Sequence, residues 1–373
     1  MIKVVFLIRS LDRGGAERQL ATLIRRLNKD RFDLTLITFY AGGTLSAELA
    51  AHKVQVLGLH KRGRWDVFGF LWRLIRELKK LRPDIIHSYL VEPNLVAVFI
   101  KPFFTSTKIV WGVRAANVDL TKYDWFARFN FRLQALVSGW PDLIIFNSNN
   151  GRAHHLALGF PPQRSLVIRP GVDTEEFRPD RPSGISIRRA WNIAEGTVLI
   201  GLVGRFDPMK DHQTFLKAAA LLSGDVSDCR FVLVGDGPAD YLANLRRAVA
   251  ENRLSDRVVW AGPRGDMPAV YNALDIACSS SVSEGLPNAI AEAMACGLPC
   301  VVTDVGDSAL LVGDTGIVVP PRDPQALAGG LKECVDNLRA GLAPNPRPRI
   351  ITEFNVQRLV ERTEAALDSL AQR

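Results

Sequence analysis

The segment "RPGVDTEEFRPDRPSGISIRRA" (169–190) decides how the chain divides. It is crowded with proline, glycine and charge, and shows neither the period of a half-buried strand nor that of an amphipathic helix. Such a stretch between periodic segments is a linker, and it places a boundary near residue 175. Before it come the apolar runs "KVVFLI", "FDLTLITF", "VQVLGL", "DIIHSYL", "KIVWGV", "DLIIFNS" and "SLVIRPG". After it come "TVLIGLVGRF", "RFVLVGDG", "RVVWAG", "DIACSSS", "PCVVTDVG" and "TGIVVPP". Short continuous apolar runs are strands buried on both faces, as parallel sheets require, and helical patterns separate most of them. Two series of strand followed by helix predict an α/β chain of two doubly wound domains, 1–175 and 176–345. The amphipathic "NVQRLVERTEAALDSL" (355–370) follows the Pro-rich "APNPRPR", so residues 346–373 are expected to leave the second domain and cross back to the first.

Composition narrows the class. At 373 residues, 47% hydrophobic and 23% charged, each half is able to bury its own core, which argues against disorder. Five scattered cysteines without a CxxC pair suit a reducing compartment and read as core residues. The opening "MIKVVFLIRS" reads as a first strand rather than a leader, and no apolar run reaches the roughly 18 residues of a membrane span. A cytoplasmic protein is expected, with peripheral attachment at the inner face of the membrane as an option. That option comes from charge: residues 1–180 hold 27 Lys+Arg against 16 Asp+Glu, a net +11, whereas 181–373 hold 20 against 23, a net −3.

Ligands of doubly wound domains bind beyond the carboxyl ends of the strands, so the post-strand loops carry the chemistry. In "SVSEGLPNAIAEAMACGLPC" (281–300), Pro287 suits a first helical turn, and Gly285, Leu286, Pro287 and Asn288 form a helix N-terminus whose free N–H groups fit a phosphate. Glu284 precedes that turn. Glu292 lies inside a helix of small apolar residues, where a carboxylate needs partners, for instance paired ribose hydroxyls. As an isolated pair the two glutamates would read as a dipole complement and a solvated residue. "GRFDPMKDH" (204–212) follows a strand and places Arg205 and Lys210 in one loop, where two cations beside a helix N-terminus can stabilise a diphosphate leaving group. "SLDRGGAERQL" (10–20) is a strand-to-helix turn in which Gly14 and Gly15 permit close approach of backbone to ligand. No Asp-x-Asp, Walker or GxGxxG spacing occurs, so neither metal-held nor P-loop phosphate chemistry has a foothold.

Taken with "LVGDGP", "RPGVDTEEFRP" and "GDTGIVVPPRDPQALA", these motifs resemble the retaining glycosyltransferases of family 4. The likeness runs over nearly the whole chain, closely over 165–330 and in general outline over 1–165. It implies the GT-B fold, two Rossmann-like domains facing across a cleft. It also implies that Glu284 accepts hydrogen bonds from the donor sugar, that Glu292 binds the nucleotide ribose, and that Arg205, Lys210 and the amides near Leu286 to Asn288 hold the diphosphate. Gly14 and Gly15 match the family's glycine-rich first loop, and Arg264, beside Pro263, matches the loop that flanks the base. One departure stands out: where many members have a histidine after the fifth strand, "WGVRAANVD" (111–119) has Arg114. That residue reads either as an acceptor-side group that binds an anionic acceptor or the departing phosphate, or as half of a structural ion pair. His87, at the end of "DIIHSYLVEPN" (84–94), reads as structural or acceptor-side.

Two segments bear on partners. "YDWFARFNFRLQALVSGW" (123–140) sets Trp125, Phe126, Phe129, Leu133, Leu136 and Trp140 on one helical face, read first as a stripe packed on the sheet and second as a membrane surface. "KRGRW" (61–65) is an exposed basic loop. The sequence is therefore read as a metal-independent, retaining glycosyltransferase with no cofactor beyond its nucleotide diphosphate sugar co-substrate. Its acceptor would be a glycan or a lipid-linked glycan in cell-surface polysaccharide synthesis, with an anionic membrane surface rather than nucleic acid as the partner of the basic half. A nucleotide-sugar epimerase of the same fold and a binding protein without turnover are the alternatives.

Overall fold

A computed structural model describes residues 1–12, 14–52, 54–63, 65–114 and 125–372. Arg64 of the basic loop, most of the segment after Arg114, and Tyr123 and Asp124 lie outside the described residues. The chain forms two compact units, Met1–Gly171 with Val356–Arg373, and Val172–Asn355.

The first unit runs β1 (Ile2–Ile8), α1 (Gly15–Arg26), β2 (Phe32–Thr38), α2 (Leu45–Ala51), β3 (Gln55–Gly58), α3 (Val67–Leu81), β4 (Ile85–Tyr89), α4 (Val91–Phe99), β5 (Lys108–Val113), α5 (Trp125–Leu136), β6 (Leu143–Phe146), α6 (Asn149–Ala157) and β7 (Ser165–Val167). The second runs α7 (Arg181–Ala190), β8 (Val198–Val203), α8 (His212–Asp225), β9 (Cys229–Val234), α9 (Ala239–Glu251), β10 (Val258–Gly262), α10 (Met267–Ala273), β11 (Ile276–Ser279), α11 (Asn288–Ala295), β12 (Cys300–Thr303), α12 (Ser308–Val312), β13 (Gly316–Val319), α13 (Pro324–Arg339) and α14 (Arg347–Glu353). The final helix, α15 (Val356–Ala371), belongs to the first unit.

Every run read as a strand is one. The pairings are parallel, in the orders β3-β2-β1-β4-β5-β6-β7 and β10-β9-β8-β11-β12-β13. In each sheet the order reverses beside the first strand, between β1 and β4 and between β8 and β11, and there the connecting loops part to leave a crevice. Alternation along β1 fixes the layers. Val4, Phe6 and Ile8 point into one core with Leu20, Leu23 and Ile24 of α1 and Leu359, Val360 and Leu367 of α15. Val5 and Leu7 point into the opposite core with Phe70, Leu74 and Leu78 of α3, Leu95 and Val98 of α4, and Val137 after α5. Full burial of each such side chain contributes about 1.5–3 kcal/mol, which is why these positions tolerate only apolar residues. Helix α15 is also tied to the α1–β2 turn, where Glu364 accepts from the Asn28 N–H at 2.8 Å and from Arg31 at 3.0 Å.

Of the stripe expected to pack on the sheet along α5, Leu133 does so and four members do not. Trp125, Phe129, Leu136 and Trp140 are exposed. The helix buries Phe131 and Gln134 instead, with Phe131 set against His155 at a ring separation of 5.6 Å and Leu133 on the core below. Both sides of this helix are apolar, and the side that meets α4 and α6 takes the core.

Candidate functional site

In the second unit the crevice between β8 and β11 is built from two braced loops. Beyond Val203, the chain passes Gly204 and Arg205 into a short turn of 3-10 helix, Pro208–Lys210, started by the Asp207 side chain, which accepts from the Met209 N–H at 2.9 Å. Asp211 is left-handed at φ 44° and caps α8, accepting from the Thr214 N–H at 3.3 Å and its hydroxyl at 2.7 Å. From the β11 side, Ser280 Oγ donates to the carbonyls of Lys210 at 2.8 Å and Asp211 at 3.0 Å, and the Val282 N–H donates to Met209 O at 2.8 Å. The two loops are thus tied directly to each other.

These braces bring Lys210 and Glu284 together. Lys210 Nζ forms an ion pair with Glu284 Oε1, and the same oxygen accepts from Ser281 Oγ at 2.6 Å. Ser281 is buried, its hydroxyl lies 3.2 Å from that of Ser279, and its carbonyl accepts from Thr303 Oγ1 at 2.6 Å. A Cβ at Gly204 would lie only 3.3 Å from Lys210 Cε, so glycine leaves the lysine stem its path. Behind Glu284 the chain turns against Gly306, at φ 59°, where a Cβ would lie 2.1 Å from the Glu284 carbonyl. The Asp307 N–H secures the turn by donating to Gly285 O at 2.8 Å. Leu286 and Pro287 are buried, and α11 then starts at Asn288; the Ile290 and Ala291 N–H groups donate to Pro287 O at 3.1 Å, which leaves those of Asn288 and Ala289 as the helix-start donors. The Asn288 Oδ1 is buried without a hydrogen-bond partner.

Glu292 is 7% exposed and accepts from Tyr271 OH of α10 at 2.9 Å, so the buried carboxylate has the kind of partner its position demands. A small cavity beside Glu284 is lined by Lys210, Tyr271, Ser279, Ser281 and Ile290, with Tyr271 being the residue whose hydroxyl donates to Glu292. Arg205 is not drawn in. Its side chain is 66% exposed and pairs with Asp207 at 3.3 Å. Arg264, on the loop from β10 to α10, lies in a two-pronged contact with Asp266, Nε to Oδ1 at 2.8 Å and Nη2 to Oδ2 at 2.5 Å. Neighbouring His212 is fully buried; burial, then Lys210, pulls it down to about 4, so it stays neutral beside the cation. Among the described residues no group of three or more His, Cys, Asp or Glu is placed to hold a metal ion.

The other named residues stand in the first unit, around the crevice between β1 and β4. Gly14 caps α1 and Gly15 opens it; a Cβ on Gly14 would lie 2.1 Å from the Glu17 carboxylate, which occupies that helix start. His87 of β4 is fully buried, with Phe6 at 5.3 Å and Tyr89 at 4.7 Å between ring centres, and neither ring nitrogen has a hydrogen-bond partner. Burial, then the Arg114 charge, holds His87 well below the usual histidine range, so it is neutral. Arg114 stacks its guanidinium 4.6 Å from the Tyr89 ring centre.

Sequence reasoning misses four residues here: Ser281, Thr303, Tyr271 and Gly306. The serine run in "DIACSSSVSEG" is the only signal for the first, and the others arrive from separate strands and helices.

The same two halves are matched by family models. Residues 13–176 match the family described as Glycosyltransferase Family 4, and residues 197–337 match Glycosyl transferases group 1. The UDP-Gal:alpha-D-GlcNAc-diphosphoundecaprenol alpha-1,3-galactosyltransferase of Escherichia coli is 25% identical over 369 residues, covering 94% of this chain and 92% of that protein. A D-inositol 3-phosphate glycosyltransferase of Mycolicibacterium vanbaalenii is 35% identical over 190 residues, 46% of this chain and 40% of its own length. Among solved structures, HepE of Anabaena in complex with UDP-glucose superposes with a TM-score of 0.87 at 23% identity, covering 99% of this chain and 100% of the other, so the fold is GT-B. With the glutamate-bearing helix start and the braced lysine loop falling inside the second matched segment, the chain belongs to the family 4, group 1 glycosyltransferases.

Proposed function

We propose that the protein transfers a hexosyl group, with retention of configuration, from a UDP-sugar to a lipid-linked glycan during assembly of a cell-surface polysaccharide. The observation that carries this is the Lys210–Glu284 pair, braced at the start of α11 where the second sheet reverses its order. A crevice of that kind, with a cation, a carboxylate and free helix N–H groups, suits a diphosphate joined to a sugar. Support for the donor and acceptor classes comes from the Escherichia coli relative, whose name specifies UDP-Gal and a diphosphoundecaprenol-linked sugar, and from the UDP-glucose bound by HepE.

In this reading the bond between the anomeric carbon and the β-phosphate oxygen breaks while the acceptor hydroxyl forms its bond to the same carbon on the same face. Lys210 and the first-turn N–H groups of α11 take the charge that develops on the leaving phosphate, and Arg205, exposed at the surface in its pair with Asp207, swings in to join them. To serve the phosphate, Lys210 shares or gives up its hold on Glu284, whose carboxylate then accepts from donor-sugar hydroxyls. Glu292, with Tyr271 fixing one oxygen, accepts from the ribose. The acceptor proton passes to the departing phosphate, and no metal enters the scheme. Incubation with UDP-Gal or UDP-Glc and a diphosphopolyprenyl sugar tests it by product analysis. The expected product is an α-linked disaccharide on the lipid, formed equally well in chelator; a β-linkage, a free epimer of the donor, or full dependence on added magnesium or manganese would each break the scheme.

A further inference from the structure

In the first unit, exposed aromatic side chains are concentrated to a degree the second unit does not share. Among the described residues, every Trp or Phe that is mostly solvent-facing lies between Trp65 and Trp140. Trp65 is 90% exposed, Phe68 89%, Trp72 62%, Trp125 74% and Phe129 54%. A globular surface does not accumulate large exposed rings in one region without a use for them.

Their spacing makes them stripes. With 100° per residue, Phe68, Trp72, Arg76 and Lys79 fall along one line on α3, opposite the buried Phe70, Leu74 and Leu78, and Trp65 is exposed in the turn just before the helix. Arg76 lies 4.8 Å from the Trp72 ring, joining the aromatic and cationic parts. On α5, Trp125, Phe129, Arg132 and Leu136 fall along a second line, again outward. Both helices cover the same face of the first sheet, since Phe70, Leu74 and Leu78 of α3 share one core with Leu133 of α5 and with Val137 just after it. Each enters that layer from the carboxyl end of a parallel strand, so the aromatic first halves of α3 and α5 lie toward the edge where such a sheet takes its ligands.

We propose that this outward face of α3 and α5 is an interfacial docking surface for a bilayer rich in anionic phospholipid, with Trp65, Phe68, Trp72, Trp125 and Phe129 inserted at headgroup depth. The proposal rests on the lipid-linked acceptor reading for its purpose, and on the two stripes for its place. Rings with basic neighbours are what an interfacial helix presents to lipid. Charge selects the occupant: residues 61–82 carry eight Lys+Arg against Asp66 and Glu77, and α5 carries Arg128 and Arg132 with no acid. Asp66 is engaged by Arg73, and Glu77 by Arg76 and Lys80. A second copy of the chain meeting this face through a two-fold axis would set these cations against one another, whereas an anionic bilayer complements them.

The test is co-sedimentation of the full chain with vesicles of phosphatidylcholine alone or with 30% phosphatidylglycerol, at low and high salt, with UDP-sugar hydrolysis and light-scattering mass measured on the same samples. Wild type is expected to bind the anionic vesicles and to lose about tenfold in partition at high salt. The variant Trp65→Ser/Phe68→Ser/Trp72→Ser should bind at least tenfold more weakly at either salt, and Arg76→Ser/Lys79→Ser should bind more weakly at low salt only, both with hydrolysis and melting unchanged. The surface is refuted if wild type ignores anionic vesicles, if the aromatic variant binds like wild type, or if that variant merely halves the mass of a wild-type dimer. Vesicle binding without any hydrolysis would instead sink the transferase reading and leave the surface standing.

Discussion

Glu284 and Glu292, separated by seven residues, meet different partners in the folded chain: Lys210 and Ser281 for the first, Tyr271 for the second. Their exchange for glutamine should therefore have different effects. Glu292→Gln removes a charged acceptor from the ribose and is expected to weaken UDP binding by about 10- to 100-fold, the worth of one or two hydrogen bonds to a charged group. Glu284→Gln should leave UDP binding near wild type and lower turnover of the intact UDP-sugar. Calorimetry of UDP beside turnover of UDP-sugar reads both, and an equal loss of UDP affinity would show the roles wrongly divided. Both carboxylates are legible in sequence because one precedes a helix-starting Leu-Pro and the other interrupts a small apolar helix. Tyr271 is not, since it stands 21 residues ahead of Glu292 and reaches it only through the packing of α10 on α11. The rotamer of Arg205 is equally invisible, because its local pairing with Asp207 is a matter of two residues' spacing that composition cannot weigh.

At the scale of elements, the site depends on a turn that only glycine allows. Gly306→Ala would place a Cβ 2.1 Å from the Glu284 carbonyl at a φ of 59°, so the loop bearing Glu284 must shift. A cost of about 2 kcal/mol or more and a large fall in turnover are expected. Gly329→Ala, inside α13 with no atom within 4 Å of the new methyl, should instead stabilise by about 0.5–1 kcal/mol. Thermal melts of the two variants decide: equal shifts would mean that the Gly306 contact does not constrain the loop. The strands are legible because burial on both faces writes itself as unbroken apolar runs. The outward side of α5 is not, because a helix with aromatic residues on both sides does not say which side the core takes, and here the contact of Phe131 with His155 settles it.

For the whole molecule, acid stability follows from histidines buried in both units. Burial draws His155 in the first unit and His212 in the second from 6.5 to about 4, and holds His87 lower than its ordinary value as well. Between pH 6.5 and about 4 the unfolded chain binds protons that the folded chain refuses, so acidification favours unfolding in that window, by about 2 kcal/mol per histidine at pH 5. Melting temperature should be flat from pH 8 to 7 and drop by several degrees by pH 5. A constant melting temperature down to pH 5 would mean that these side chains take up protons without unfolding.

The claim that the β8–β11 crevice performs donor chemistry is tested most directly by UDP release from UDP-Gal and UDP-Glc, with wild type, Lys210→Ala and Arg205→Ala measured together. Removing one group that stabilises leaving-group charge typically costs about 10²- to 10³-fold. Both variants should fall by that order in turnover. Only Lys210→Ala should also melt lower, because it alone strips the counter-charge from the half-buried Glu284, whereas Arg205 sits in an exposed pair with Asp207. Wild-type UDP release from one of these donors, lost in both variants, is the predicted result; undiminished release in Lys210→Ala would contradict the account.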